Sequence, residues 1–273
     1  MSLKGKTLFI TGGSRGIGLA IALRAAQDGA NVAIAAKTAE PHAKLEGTIY
    51  TSAEAIEKAG GKALPILCDI RDEQQVNAAV QKTVETFGGI DILIANAGGH
   101  GVGPTISMPD ETWGLSVRLN LNTAFVSARE CLPHLIERKG NIVVLASIAG
   151  LFAGPDAAGY VTTKHACIGL AKSLARDYGR FGVRTNTVCP GWVTTAMADE
   201  QMQFLAKKNG LKSIEEAYAL VTKDVPLGRP ASADDVANAV CFLSSGEAAM
   251  INGAILTVDG GAGTVDLPTL AFA

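Results

Sequence analysis

A parallel α/β sheet of seven strands, doubly wound with helices on both faces, is the fold class predicted by this 273-residue sequence. Two observations predict it. Short, nearly continuous apolar runs alternate with longer segments of helical period, and strands of that kind are buried on both faces. Glycine-bearing turns separate the segments, and right-handed crossovers then wind such a chain both ways. No proline- or glycine-rich linker divides it, so one domain is expected over residues 1–273. No repeat of solenoid period is present.

The elements follow in order. KTLFI (6–10) reads as a buried strand, the turn TGGSRG (11–16) follows, and IGLAIALRAAQDG (17–29) is a helix. NVAIAA (31–36) is the second strand. The polar loop KTAEPHAKLEGTIY (37–50) is longer than such connections usually are. TSAEAIEKAGG (51–61) is a helix capped by Thr51 or Ser52 and stopped by glycine. KALPILCD (62–69) is the third strand in spite of its proline, and DEQQVNAAVQKTVETFGG (72–89) an amphipathic helix. IDILIANAG (90–98) is the fourth strand, and one helix is expected from Pro109 to about Glu137. GNIVVLAS (140–147), VRTNTVCPG (183–191) and GAILTVDGG (253–261) complete the strands. Between them lie the long helix 157–179, an insertion over 192–226 with helical pieces, and the helix SADDVANAVCFLSS (232–245).

Composition narrows the function. The chain is 48% hydrophobic and 18% charged, with net charge -2 from 24 Lys plus Arg and 26 Asp plus Glu. No basic run points to nucleic acid or to an anionic membrane. No uncharged apolar stretch of about 18 residues offers a membrane span. The first residues lack the length and cleavage site of a signal peptide. The five cysteines, 68, 131, 167, 189 and 241, sit among apolar neighbours with no CxxC, as buried free thiols of a reducing compartment do. A cytoplasmic protein without a metal site is expected.

The turn TGGSRGIG (11–18) sits after the first strand and opens the first helix. Glycines there allow positive φ and a close backbone approach, and the helix N-terminus offers free N–H groups to a pyrophosphate. A glycine turn in this position points to a Rossmann-type fold and a nucleotide ligand, and the plainer alternative is an ordinary tight strand-to-helix turn. The spacing, G-x-x-x-G-x-G, differs from the common fingerprint. NAD-preferring proteins usually place an acid at the end of the second strand. Here that end reads IAAK, with Ala36 where the acid would stand and Lys37 after it. Lys37 and Arg15 suit the 2′-phosphate of NADP, so NADP(H) is expected ahead of NAD(H). The plainer alternative is two solvated cations. Asp69, after the third strand, is a candidate partner for the adenine amino group.

One of only four tyrosines, Tyr160, stands four residues before Lys164 and thirteen after Ser147. Residues four apart share a helix face. A cation held beside a phenol favours the phenolate, the form that a general base needs. The bland alternative is a surface pair. His165 lies about 100° further round the helix and faces elsewhere. His134 is the other tempting base. His100, in the glycine loop GGHGVG, is a candidate substrate contact.

With TGGSRGIG, NAG (96–98), Asn120, Ser147, YVTTK (160–164) and PGWVTT (190–195) all in order, the chain resembles the single-domain branch of the short-chain dehydrogenase/reductase family. The resemblance runs from Lys6 to about Gly261. It implies that Tyr160 is the general acid/base, that Lys164 activates it and binds the ribose, and that Ser147 orients the substrate oxygen. Asn120 would anchor a water in a proton relay. Asn122 is close by, but the 27 residues to Ser147 favour Asn120. Gly12, Ser14, Arg15, Gly16, Ile17 and Gly18 would cradle the phosphates. Asp69, Ile70, Asn96, Ala97 and Gly98 would line the adenosine side. Val193, through its backbone, and Thr195 would hold the nicotinamide amide, and Pro190 and Gly191 would also bind the cofactor. A homotetramer or homodimer is implied, and the apolar tail GTVDLPTLAFA suits packing on a neighbour. The loop after the second strand departs from the usual length.

Residues 192–220 read as a lid. Trp192, Met197, Met202, Phe204 and Leu205 would give it one apolar face toward the cleft, with Ile148, Leu151 and Phe152 opposite. Such walls suit a moderately hydrophobic ketone or secondary alcohol, unless the same residues pack the lid itself. Two alternatives stand beside this carbonyl reductase. One is a 3-oxoacyl-thioester reductase, left open by Lys207 and Lys208. The other is a nucleotide-binding regulatory protein without catalysis.

Overall fold

Apolar residues at nearly every strand position demand cover on both faces, and that demand sets the architecture. The structure is a computed structural model that describes residues 2–41, 46–99 and 101–272. Its strands are β1 (Thr7–Thr11), β2 (Asn31–Ala36), β3 (Lys62–Leu67), β4 (Ile92–Ala95), β5 (Asn141–Leu145), β6 (Arg184–Pro190) and β7 (Ile255–Val258). They form one sheet in the order β3-β2-β1-β4-β5-β6-β7. Every pairing is parallel, as at Phe9 with Ala33 and Leu93. The expected seven-stranded Rossmann-type sheet is therefore present.

Within the apolar runs the period of two sorts side chains to opposite faces. Leu8, Ile10, Ile34 and Ile94 pack beneath α1 (Gly16–Gln27), α2 (Ile49–Lys58) and α9 (Ala233–Ser244). Phe9, Ala33, Leu93 and Val144 pack beneath α3 (Glu73–Phe87), α5 (Thr123–Arg138) and α6 (Ala158–Tyr178). Chain order reverses between β1 and β4, so a crevice opens at the carboxyl ends there.

Local chemistry explains where the elements stop. α2 starts at Ile49, because Thr48 rather than Thr51 or Ser52 is its cap. Thr51 N donates to Thr48 Oγ1 at 3.1 Å, and Thr48 N to Thr51 Oγ1 at 2.8 Å. Asp72 caps α3, and Gly88 ends it in a left-handed turn. Pro65 is tolerated because β3 is an edge strand.

The helix expected over 109–137 is three pieces. α4 (Asp110–Ser116) passes through a π-helical turn, Val117–Asn122, into α5. The insertion forms α7 (Ala196–Asn209) and α8 (Ile214–Thr222), which share a small core of their own around Met202, Ala217 and Tyr218. Among the described residues no helix is long and apolar enough to cross a membrane.

Gly61, which leads into β3, lies against α1. A Cβ there would come 2.7 Å from Ala26 Cβ and 2.9 Å from the Ala30 carbonyl oxygen. Gly61→Ala should destabilise the chain by about 1–3 kcal/mol, the usual cost of overpacking. Urea unfolding of the two proteins would measure it.

Candidate active site

The turn between β1 and α1 is shaped for close approach. Gly12 and Gly16 have φ of 73° and 54°, a region that favours glycine. A side chain on Gly18 would overlap the Gly12 carbonyl. The α1 N-terminus has no side-chain cap, so its first N–H groups stay open to an anion. Asn96 braces the turn from β4: Nδ2 donates to the carbonyls of Thr11 and Gly12 at 2.9 and 3.1 Å. Ala97 N donates to Thr11 Oγ1 at 3.1 Å. Thr195 crosses over the turn, its Cγ2 3.6 Å from where a Gly16 Cβ would stand. The glycines, the open N–H groups and the overlying threonine fit a pyrophosphate.

Ser147 and Asn120 are joined to Tyr160 and Lys164 by the ends of β4 and β5 and by α6. The π-helical turn presents Asn120, 2% exposed, toward α6. Asn120 Oδ1 accepts from Gly99 N at 2.7 Å, and Nδ2 donates to Thr163 Oγ1 at 3.1 Å. The Asn120 carbonyl accepts from the Cys167 thiol, 3.4 Å away. Lys164 is 4% exposed, and its Nζ donates to the Leu145 carbonyl at 2.8 Å. That ammonium lies 5.7 Å from the centre of the Tyr160 ring. A Cβ on Gly98 would sit 3.3 Å from Nζ, so only glycine leaves that side of the lysine clear. Ser147, two residues past the end of β5, accepts from Ala149 N at 3.1 Å through its Oγ. Tyr160 N donates to Gly101 O at 3.0 Å, tying α6 to the loop after β4.

The far end of the crevice is cationic. Ala36 ends β2, and Lys37 beyond it is exposed. Arg15 donates from Nη2 to Gly47 O at 2.9 Å, and its buried Nε has no partner. Asp69 is held in a forked pair by Arg71, whose Nε donates to Oδ1 at 2.9 Å. That pairing pulls its carboxyl down to about 2, with the Lys37 charge helping. Ile70 lies between the two, half-buried. Sequence reasoning missed Arg71. Its spacing of two from Asp69 carries no signal until the turn after β3 folds it back.

The expected apolar lid face divides. Met202 is 1% exposed and packs between α7 and α8, as do parts of Trp192 and Leu205. It is removed from the cleft because Ala198, Met202 and Ala206 share the one buried stripe of α7. Phe204 is exposed. Met197 does turn toward the site, its Cε 3.1 Å from where a Gly99 Cβ would stand. Ile148 follows Ser147 in a short 3-10 turn, and the Phe152 ring rests near Gly263 of the tail. Val193 makes a bridge to Ala231, and Gly191 lies close against Asp259. His100 lies outside the described residues. His165 is exposed, with Nδ1 2.9 Å from the Val161 carbonyl oxygen, away from the site.

All five cysteines are free and buried. Burial pushes the thiols of Cys68 and Cys189 up to about 11 and Cys241 up to about 12. None is a ready nucleophile. Among the described residues no group of three or more His, Cys, Asp or Glu could hold a metal ion.

Known proteins share this arrangement. A family model described as enoyl-(acyl carrier protein) reductase matches residues 12–263. The chain belongs to the short-chain dehydrogenase/reductase family. Levodione reductase is a structural neighbour in that family, with a TM-score of 0.89 and 30% identity, covering 96% of this chain and 99% of its own. An NAD+-bound xylitol dehydrogenase has a TM-score of 0.87 at 27% identity, covering 96% of this chain and 100% of its own. In sequence, the chain is 61% identical over 154 residues to Protein MoaE of Klebsiella aerogenes, covering 56% of this chain and 60% of that one. It is 57% identical over 137 residues to hydroxysteroid dehydrogenase-like protein 2 of Danio rerio, covering 50% of this chain and 33% of that protein. The chain thus matches less than two thirds of the length of these curated relatives. Short-chain dehydrogenases/reductases are oxidoreductases that use a nicotinamide dinucleotide on small molecules.

Thr163 is a further member of the site that spacing alone did not reveal. Its hydroxyl accepts from Asn120 and lies 2.8 Å from the Gly159 carbonyl oxygen. Thr163→Val would leave the buried Asn120 amide short of an acceptor. It should cost about 1–3 kcal/mol of unfolding free energy. Thr163→Ser should stay near wild type in the same denaturant titration.

Proposed function

We propose that this chain is an NADP(H)-dependent carbonyl reductase, or equally a secondary-alcohol dehydrogenase, acting on a moderately hydrophobic small molecule. The observation that carries the proposal is the buried Lys164 ammonium held beside the Tyr160 ring, at the end of the strand that bears Ser147. The residues of the glycine turn would hold the dinucleotide phosphates, Lys164 its ribose, and Val193 and Thr195 its amide. When bound, the cofactor supplies or accepts the hydride.

The protein's own residues do the rest. Tyr160 delivers a proton to the carbonyl oxygen during reduction and takes one from the hydroxyl during oxidation. Ser147 hydrogen-bonds that oxygen and stabilises charge developing on it. Lys164, fixed by the Leu145 carbonyl, keeps a positive charge beside the phenol in a desolvated place where charge acts strongly. Asn120 holds the loop after β4 against α6 and would anchor a relay water. Met197, Ile148 and Phe152 supply apolar wall, and α7 with α8 acts as the lid over one domain.

NADP preference is supported by Ala36, where an acid would otherwise stand, and by Lys37 and Arg15 nearby. Arg71 adds a third cation at that end, and its pairing with Asp69 keeps the carboxylate from repelling a phosphate. Five buried thiols support a cytoplasmic setting. The exposed apolar side chains of Phe125 and Ile106 support a homodimer or homotetramer. A thioester substrate has the matched model's description in its favour, and acyl thioesters belong among the substrates tried.

Tyr160→Phe should lower kcat by at least about a hundredfold, the ordinary worth of general acid catalysis. NADPH affinity should be unchanged. Steady-state assays with a panel of cyclic, aryl and 3-oxoacyl substrates test this, and normal turnover in the variant would remove Tyr160 from the chemistry. Lys37→Asp should shift the kcat/KM ratio of NADPH to NADH toward NADH by roughly 10- to 100-fold, the scale of one charge-assisted hydrogen bond. A ratio that does not move would show that Lys37 makes no contact with a 2′-phosphate.

A further inference from the structure

The amino ends of β4, β5 and β6 lie at the opposite edge of the sheet from Ser147, roughly 20 Å away along β5. They border a cleft of about 550 Å³, a size that suits a small molecule. None of the residues given a role above lines it. Its walls carry three cations, Lys6, Lys139 and Arg184, and one acid, Asp91. The acid is already committed, accepting from Thr7 N and from Lys6 Nζ at 2.9 Å each. Glu247, beside the lining Gly246, has a partner of its own.

Lys139 and Arg184 are left without a carboxylate among the described residues. Arg184 is half-buried, and among the described residues its two Nη atoms donate to the carbonyls of Ile251 and Ser245, at 3.3 and 3.2 Å. Burial accordingly draws its pKa down. Lys139 has φ of 50°, and its stem runs over Gly182, where a Cβ would come within 3.1 Å of Lys139 Cγ. Asn141, 6% exposed, adds an acceptor: Nδ2 donates to Ser244 O at 3.1 Å, while Oδ1 has no partner.

Two cations without a carboxylate among the described residues, and one unpartnered acceptor in the wall beside them, are complementary to a dianion that carries a hydroxyl group. We infer that this cleft is a second binding site, and that it takes a small phosphate monoester. The phosphoryl oxygens meet Arg184 and Lys139, and a hydroxyl of the ester donates to Asn141 Oδ1. Such an ester carries close to two negative charges at neutral pH, and guanidinium matches its oxygens in a fork.

Isothermal titration of the full chain with glycerol phosphate, inorganic phosphate and sulfate, at matched ionic strength, tests this. Saturable binding of glycerol phosphate is expected, at least about tenfold weaker in Lys139→Gln and in Arg184→Lys. Asn141→Ser should erase the preference for glycerol phosphate over inorganic phosphate. Thermal unfolding verifies that each variant is folded, and Lys139→Gln, a surface change, keeps the test open if the others are not. Absence of saturable binding overturns the site. An affinity unchanged in Lys139→Gln also overturns it, because the anion would then sit in the glycine turn. Sulfate binding as tightly as glycerol phosphate would overturn the choice of ligand.

Discussion

A buried ammonium dictates much of the surrounding structure. Lys164 is withdrawn from water with no carboxylate among the described residues to neutralise it, a costly placement unless its donors are met. One donor goes to the Leu145 carbonyl, at the end of β5 where the sheet stops consuming its own acceptors. The Tyr160 ring takes part of the charge on another side. Gly98 must lack a side chain for the third direction to stay open. Strand end, helix face and glycine are therefore mutually required, and the site is a condition of burying this charge as much as a decoration of the fold.

The parallel sheet makes that condition easy to meet. Every strand delivers its carboxyl end to the same edge, so β1, β4, β5 and β6 bring the glycine turn, Asn96, Ser147 and Pro190 together without long excursions. The π-helical turn then solves a separate problem. The wider turn pairs Thr123 N with the Arg118 carbonyl, the Leu119 carbonyl accepts from the Thr123 hydroxyl instead, and the Asn120 side chain bridges Gly99 and Thr163.

Much of this was readable before folding. The seven strands and the glycine turn announce themselves through apolar runs and small residues, which local chemistry enforces. Tyr160 and Lys164 were legible because helical spacing is geometric. What escaped depended on partners distant in sequence or on subtle local competition. Arg71 joins the crevice only because the turn after β3 folds it onto Asp69. Thr48 took the cap from Thr51 because reciprocal hydrogen bonds favour the earlier start. Met202 looked like cleft lining, since hydrophobicity does not say which apolar neighbour a helix will choose. Thr163 and the π-helical turn carry no composition signal at all.

The α7–α8 pair buries Met202, Ala206 and Ala217 within itself, and Tyr218 donates to Asp199 at 2.9 Å across it. Its cohesion is thus drawn from inside the pair rather than from the sheet. Phe204, exposed on the outer side of α7, takes no part in that small core. A unit that holds itself together in this way can vary on its outer face without disturbing the sheet beneath it.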